Sequence, residues 1–310
     1  MYPLFFVVPV YPRTHRYLSL RPVFYGVNGH SGVADLHMHT TASDGKSGVD
    51  DRIEQAHRRD LDAIAITDHD CISEDLSEPT QRYGGLEVIT GVEIKADIFE
   101  TKVEILGYYV DPNSDELTEL LGEVRGYRED RNREMAQRFV EETGVDTSYE
   151  DLSESVDGQL GRPHFARLLV EEGLVDSVSE GFDEYLGEDG SVYVPTERAD
   201  AERVIKAIHD AGGVASLAHP GRVDSDRVPE MVGRMVENGL EGIEVWYPYE
   251  ELSEDRVSDF GTEDASRLAE EHGLVRTGGS DCHGKGSDKF RIGNVRAPRD
   301  SLESLRSLST

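Results

Sequence analysis

Cysteine is nearly absent. Two in 310 residues cannot make a disulfide framework, so Cys71 and Cys282 are expected to be reduced thiols of an intracellular protein, packed as small core or site-wall residues. Lysine is almost as scarce: only 6 of the 32 basic residues are Lys, and all 32 face 63 Asp+Glu for a formal charge of −31. That balance excludes a nucleic-acid scaffold held by a basic surface. Long apolar runs are missing as well. Residues 4–10 are too few to cross a bilayer and include Pro9, and no small-residue cleavage site clearly follows them, which excludes a transmembrane helix and disfavours a signal peptide.

Acid itself is missing from one place. Residues 1–34 hold no Asp or Glu, a gap whose chance at the chain's average acid density is on the order of 10⁻⁴. The expectation is a doubtful extension of different origin, read from a start codon placed too far upstream; peptides covering residues 2–32 from native cells would refute it. Elsewhere the acids spread along the chain, which points to a salt-adapted, halophilic cytoplasm. At molar salt the Debye length is about 3 Å, so the net charge is no argument against a phosphorylated substrate. Self-repulsion predicts unfolding or inactivity in dilute buffer, and equal stability without salt would contradict that.

With 37% hydrophobic residues and 31 glycines there is material for a core. Short β-like runs at 63–67, 86–90, 103–110, 214–218, 242–246 and 274–277 alternate with helical stretches at 49–59, 201–211, 227–238 and 263–272, several closed by a following glycine such as Gly212, Gly239 or Gly273. This alternation predicts a parallel α/β sheet or barrel. Between Asp111 and Thr196 it gives way to helices at 115–142, 162–172 and 177–186. The domain reading is therefore an extension (1–34), a first barrel part (35–110), a helical insertion (111–196) and a second barrel part (197–310).

The chemistry-bearing residues cluster after the strands. Asp35-Leu36-His37-Met38-His39 opens the first, and a strand's period of two puts His37 and His39 on one face, roughly 6–7 Å apart. Thr67-Asp68-His69-Asp70, Gly91-Val92-Glu93, Ala218-His219-Pro220 and Ser280-Asp281-Cys282-His283 follow the others. In parallel α/β folds the carboxyl ends of the strands form the site. Imidazole and carboxylate without thiolate suit two or three ions of Mn, foremost, or Zn or Fe. Neighbouring divalent ions activate water and neutralise phosphoryl oxygens, so hydrolysis of a phosphate ester is the expected chemistry.

Asp35–Lys46 (DLHMHTTASDGK), Ala65–Asp70 (AITDHD), Gly91–Ile94 (GVEI), Ala218–Arg222 (AHPGR) and Gly279–Gly284 (GSDCHG) together resemble the polymerase-and-histidinol-phosphatase (PHP) metallophosphoesterases over most of the chain. Gly161–Leu169 (GRPHFARLL), 184–195, and Arg128 with Arg131 further resemble the helical insert of a subgroup that hydrolyses nucleoside 3′,5′-bisphosphates and degrades short RNA from the 5′ end. The resemblance implies a distorted (β/α)7 barrel with up to three metals. It implies that His37, His39, Glu93 and Asp281 hold one ion, that Glu93 bridges to a second also bound by His219, and that Asp44, His69 and His283 hold a third. One position departs. Glu104 stands where the subgroup usually has a histidine; either it ligates a hard ion with a changed metal preference, or the second site is weak or empty, or the side chain points elsewhere.

Other candidates face the substrate. Arg128 and Arg131 share a helix face as phosphate clamps would, and equally as a salt-bridged surface pair would. Arg162 and His164 enter a helix in Gly-Arg-Pro-His, which offers N–H groups, a guanidinium and an imidazole to a phosphate, with His164 a candidate proton donor to the leaving oxygen. Arg222 follows His219. Trp246, Tyr247 and Tyr249 either stack a base or pack on one another as a lid. Glu244 either backs the metal ligands or holds the barrel mouth together. His57, His209 and His272 fall in last helical turns, where they complement the dipole, and His15 and His30 fall in the extension.

The expected activity is removal of the 3′-phosphate from nucleoside 3′,5′-bisphosphates, with trimming of RNA 5′ ends. Its partner would be a small phosphorylated nucleotide or short RNA 5′ end, with no membrane and no obligate protein partner. Histidinol-phosphate hydrolysis is the enzyme alternative, and the insert argues against it. A non-catalytic metal-binding regulatory module is the other, marked by loss of several ligands where this chain deviates at one.

Overall fold

The computed structural model describes residues 33–156, 159–223, 226–249, 259–287, 289 and 291–309; His15, His30 and the rest of the 1–32 extension lie outside them. Its order is β1 (Ala34–Asp35), α1 (Val49–Arg58), β2 (Ala63–Ile66), β3 (Thr80–Tyr83), β4 (Leu86–Ile98), β5 (Thr101–Tyr108), α2 (Asp115–Thr143), α3 (Tyr149–Glu154), α4 (Arg162–Glu171) and α5 (Val178–Gly181) with a π turn (Phe182–Leu186). There follow β6 (Ala199–Asp200), α6 (Ala201–Asp210), β7 (Val214–Leu217), a 3-10 turn (Pro220–Arg222), α7 (Val228–Glu237), β8 (Gly242–Trp246), α8 (Thr262–His272), β9 (Val275–Gly278) and α9 (Arg299–Leu308).

The strands form one sheet ordered β1-β2-β4-β5-β7-β8-β9, with β3 and β6 also paired to β4. Its ends meet: Leu36 N donates to Gly278 O at 3.1 Å and His39 N to Cys282 O at 3.0 Å, closing a distorted α/β barrel. Buried Asp35 locks this seam, accepting from Ser280 N (2.8 Å), Ser280 Oγ (2.6 Å) and Gly293 N (2.7 Å). Gly279 makes the closure possible, because a Cβ there would stand 2.3 Å from His37 N.

The distorted α/β barrel is as expected, but its sheet is mixed rather than parallel throughout. β5 runs antiparallel to both β4 and β7, and β3 to β4. The run expected to stop at Thr90 continues to Ile98, so Glu93 sits inside a strand rather than beyond its end. A Cβ on Gly91 would meet Gly107 O at 2.7 Å; the missing side chain lets β4 and β5 press together. Their reversal also matters for the site, since it brings the beginning of β5, with Glu104, to the rim where the parallel strands end.

Helices pack their apolar stripes on the barrel. In α6 the buried Val204, Ile205 and Ile208 recur at helical spacing, each stabilising by roughly 1.5–3 kcal/mol through burial, while Asp200 caps the helix by accepting from Glu202 N at 2.9 Å. Helix α2 serves two cores. Leu117, Leu120, Leu121 and Val124 join the barrel core, whereas Met135, Ala136 and Phe139 join a separate core with Leu152, Leu160, Phe165 and Leu169. That second core holds the helical segment between β5 and β6 together, and puts the middle of α2 over the barrel mouth. No helix among the described residues is long and apolar enough to cross a membrane.

Candidate metal centre

Eight of the nine ligand candidates rise from the barrel rim within a few ångströms of one another, and the ninth, Asp44, closes the cluster from the loop after β1. His37 Nε2 lies 3.3 Å from Glu93 Oε1, His39 Nε2 lies 3.2 Å from Asp281 Oδ1, and His69 Nδ1 lies 2.9 Å from Glu93 Oε2. His219 Nε2 stands between two carboxylates, 2.9 Å from Glu93 and 3.1 Å from Glu104. His283 Nε2 is 3.3 Å from Asp44 Oδ1. Three groups could each hold one ion, with ligand atoms within 4.8 Å of one another: His39, Asp44, His69 and His283; His37, His39 and Glu93; His69, Glu93 and Glu104. The partition differs in detail from the expected one, with His39 reaching the group of Asp44. Asp281 and His219 border these groups, and Glu104 points into the cluster rather than away.

A cation fits what the side chains leave open. His37 Nε2, both ring nitrogens of His39, His69 Nδ1 and Glu93 Oε2 are buried without a hydrogen-bond partner; His69 and Glu93 are close but not aligned as donor and acceptor. Each orphan of this kind costs about 1–3 kcal/mol, and a shared positive ion satisfies them together. Charge states agree. Despite burial, neighbouring imidazoles hold Glu93 well below the usual carboxylate range, and Lys289 and His39 do the same for Asp281. Burial, His283 and His69 pull His39 down to about 3. His37 is raised by Glu244 and Glu93 against burial, and His219 is raised to about 9 by Glu104 and Glu93, so cation binding there releases protons.

Behind the ligands stands a layer of buried polar groups that fixes their aim. Glu244, the rim carboxylate with two readings, accepts from His37 Nδ1 at 3.0 Å and from His219 N at 2.8 Å. Three others, Asp68, Arg52 and Lys289, had no expected role, and Tyr247 takes one different from those expected. Asp68 accepts from Thr40 N (2.7 Å), Thr40 Oγ1 (2.6 Å) and Ser43 Oγ (2.6 Å), which pins the loop carrying Asp44. Fully buried Arg52 donates to His39 O through Nε at 3.0 Å and a terminal nitrogen at 2.5 Å. Tyr247 OH and Lys289 Nζ donate to Asp281 Oδ2 at 2.7 and 2.9 Å. The available signal was position: Asp68 sits inside a histidine motif, whereas Arg52 and Lys289 lie outside the motifs. Asp70, His219 and Asp281 have φ of 52°, 22° and 52°, a left-handed backbone for non-glycine residues that clusters at functional sites.

Beside the metal cluster opens a cavity of about 220 Å³ that shares Asp44 and His69 with it and is walled by Arg128, Arg131, Arg162 and His164, with Arg198 and Lys95 added. Arg128 is ion-paired to buried Asp70, Arg131 Nε has no partner, and Arg162 lies over the rings of Phe182 and Tyr193 at 5.7 and 5.9 Å. Burial together with the guanidiniums of Arg162, Arg128 and Arg198 pulls Arg131 down to about 10, the mark of like charges gathered without enough acid between them. His164 Nδ1 lies 3.1 Å from Gly161 N and 3.2 Å from Gly161 O. Burial and Arg167 lower its pKa. Arg222 is exposed and outside this cavity. Tyr247 and Tyr249 are buried against each other with centroids 5.1 Å apart.

Comparison with known proteins gives the class. The PHP domain family matches residues 35–213. A 5′-3′ exoribonuclease of Haemophilus influenzae is 34% identical over 213 residues, 68% of this chain and 75% of the relative. A 3′,5′-nucleoside bisphosphate phosphatase of Chromobacterium violaceum is 31% identical over 270 residues, 84% of this chain and 90% of that one. A solved structure from Bifidobacterium adolescentis, assigned to the metal-dependent phosphoesterases, superposes with a TM-score of 0.73 at 28% identity, covering 90% of this chain and 97% of its own.

The chain belongs to the PHP domain family. It is a hydrolase of phosphoric esters, and its imidazole and carboxylate cluster offers the ligand set of divalent metal ions.

Proposed function

We propose that the protein removes the 3′-phosphate from nucleoside 3′,5′-bisphosphates and trims short RNA from its 5′ end. The observation that carries this is the arginine-walled cavity opening directly onto the metal cluster, with Asp44 and His69 common to both. A substrate with one phosphate at each site spans the two. Arg128, Arg131 and Arg162, supplied by the helical segment 111–196, hold the phosphate that does not react, the guanidinium fork matching its oxygens. Asp70 keeps Arg128 turned to this task. Arg222, on the other side of the cluster, steadies the reacting end. His164, on the cavity wall, is the candidate proton donor to the leaving oxygen.

His37, His39, Asp44, His69, Glu93, Glu104, His219, Asp281 and His283 hold two or three divalent ions, Mn by preference for this mix of imidazole and carboxylate. When bound, such ions supply activated water at neutral pH and positive charge opposite the phosphoryl oxygens. A cytoplasmic, high-salt setting accords with two unpaired thiols and the acidic surface.

The test is phosphate release in Mn-supplemented, high-salt buffer from adenosine 3′,5′-bisphosphate, adenosine 5′-monophosphate and histidinol phosphate. Release from the bisphosphate alone is expected, and His69→Ala should abolish it. Preference for histidinol phosphate, or near-normal turnover by His69→Ala, would overturn the reading.

A further inference from the structure

Lys95 follows Glu93 by two positions on β4 and is the register partner of Glu104 on β5. Its Nζ lies 3.6 Å from Glu104 Oε1, while the other oxygen of that carboxylate lies 3.1 Å from His219 Nε2. Glu104 is also a member of the third potential ion site, with His69 and Glu93. One carboxylate thus faces two claims, from a tethered ammonium and from a dissolved dication. The two cannot be met together without cost, because a cation held by Glu104 stands a few ångströms from the Lys95 charge in surroundings that screen only partly: the carboxylate side chain is 17% exposed and the lysine 36%. Lys95 has a second place to go, since it also lines the cavity of Arg128, Arg131, Arg162 and Arg198.

We propose that Lys95 is a built-in competitor for Glu104, setting the affinity of the ion held by His69, Glu93 and Glu104, and that the ion displaces its ammonium toward the phosphate cavity. Lys95 is thereby a positioning residue, and the site of Glu104 is the weakest of the centre. The inference rests on the reading of this cluster as a metal centre. It does not depend on any pH change, because the lysine acts as a fixed charge.

Calorimetric titration of the metal-free full-length chain with Mn²⁺ tests it, using Lys95→Met, Lys95→Arg and Glu104→Gln alongside the parent. Two unit charges at about 4 Å interact by roughly 1–4 kcal/mol between water and a protein surface, so even the lower figure predicts a weakest binding step about fivefold tighter in Lys95→Met, at unchanged stoichiometry. Lys95→Arg, keeping the charge, should bind as the parent does, and Glu104→Gln should lose that step. Equal or weaker binding by Lys95→Met overturns the proposal. Absence of Mn²⁺ binding by the parent overturns the metal-centre reading itself, so the two failures are told apart.

Discussion

Replacing Glu244 by Gln keeps the volume of a fully buried side chain and changes only what its atoms can accept. The carboxylate now serves two donors at once, His37 Nδ1 through Oε1 at 3.0 Å and the backbone N–H of His219 through Oε2 at 2.8 Å. A glutamine has one acceptor oxygen, so its amide N–H₂ must oppose either the imidazole or the backbone of His219, which already holds the unfavourable φ of 22°. Losing one charge-assisted hydrogen bond and stranding a buried donor costs about 1.5–3 kcal/mol, or roughly 10–100-fold in metal affinity. Calorimetric Mn titration, with a melting curve to confirm the fold, measures it. Affinity within threefold of the parent in a folded Glu244→Gln protein would refute the claim that this carboxylate aims the ligands.

Metal removal should destabilise the chain: Mn at about 100 times its dissociation constant adds roughly 2.7 kcal/mol, a rise of about 4 °C in melting temperature for a chain of this length over the EDTA-treated protein. Gly279→Ala places a Cβ 2.3 Å from His37 N and should prevent barrel closure, seen as insoluble or non-cooperatively melting protein. At the opposite face, burial raises the pKa of Glu87, but the hydrogen bonds from Arg306 and Tyr109 and the charge of Arg82 outweigh it, leaving a depressed value. Its contribution is therefore present above the ordinary carboxylate pKa and lost as pH falls through the depressed one. Arg306→Ala should lower stability by about 1 kcal/mol near neutrality, screened because Arg306 is over a third exposed, and the loss should shrink in denaturant melts at progressively acidic pH.

That the candidate ligands come together was legible because their chemistry is carried by residue type and local spacing. An H-x-H at a strand end, or an Asp and a His bracketing one residue, places donors on one side of the chain whatever the rest does. The helical segment could be read for a like reason, as helix periodicity and glycine stops are local signals. Antiparallel β5 could not be read this way, since direction within a sheet depends on which strand a segment pairs with. Nor could β3 or α9, whose apolar content is slight. Arg198 and Lys95 carry no motif, and they reach the cavity only because β4 and the return toward β6 come together there.

By itself, the sequence determined the metal-binding character, since imidazoles and carboxylates at fixed offsets from strand ends make a ligand set, while the phosphoester class and the family came from the resemblance of those motifs to a known family. Tertiary structure alone decided that Glu104 turns inward beside Lys95, that Arg222 stands apart from the other arginines, and that Arg52, Asp68 and Glu244 hold the ligands in place. Those outcomes depend on contacts between residues distant in the chain, where the register of one strand against another, rather than any local propensity, sets which charges meet.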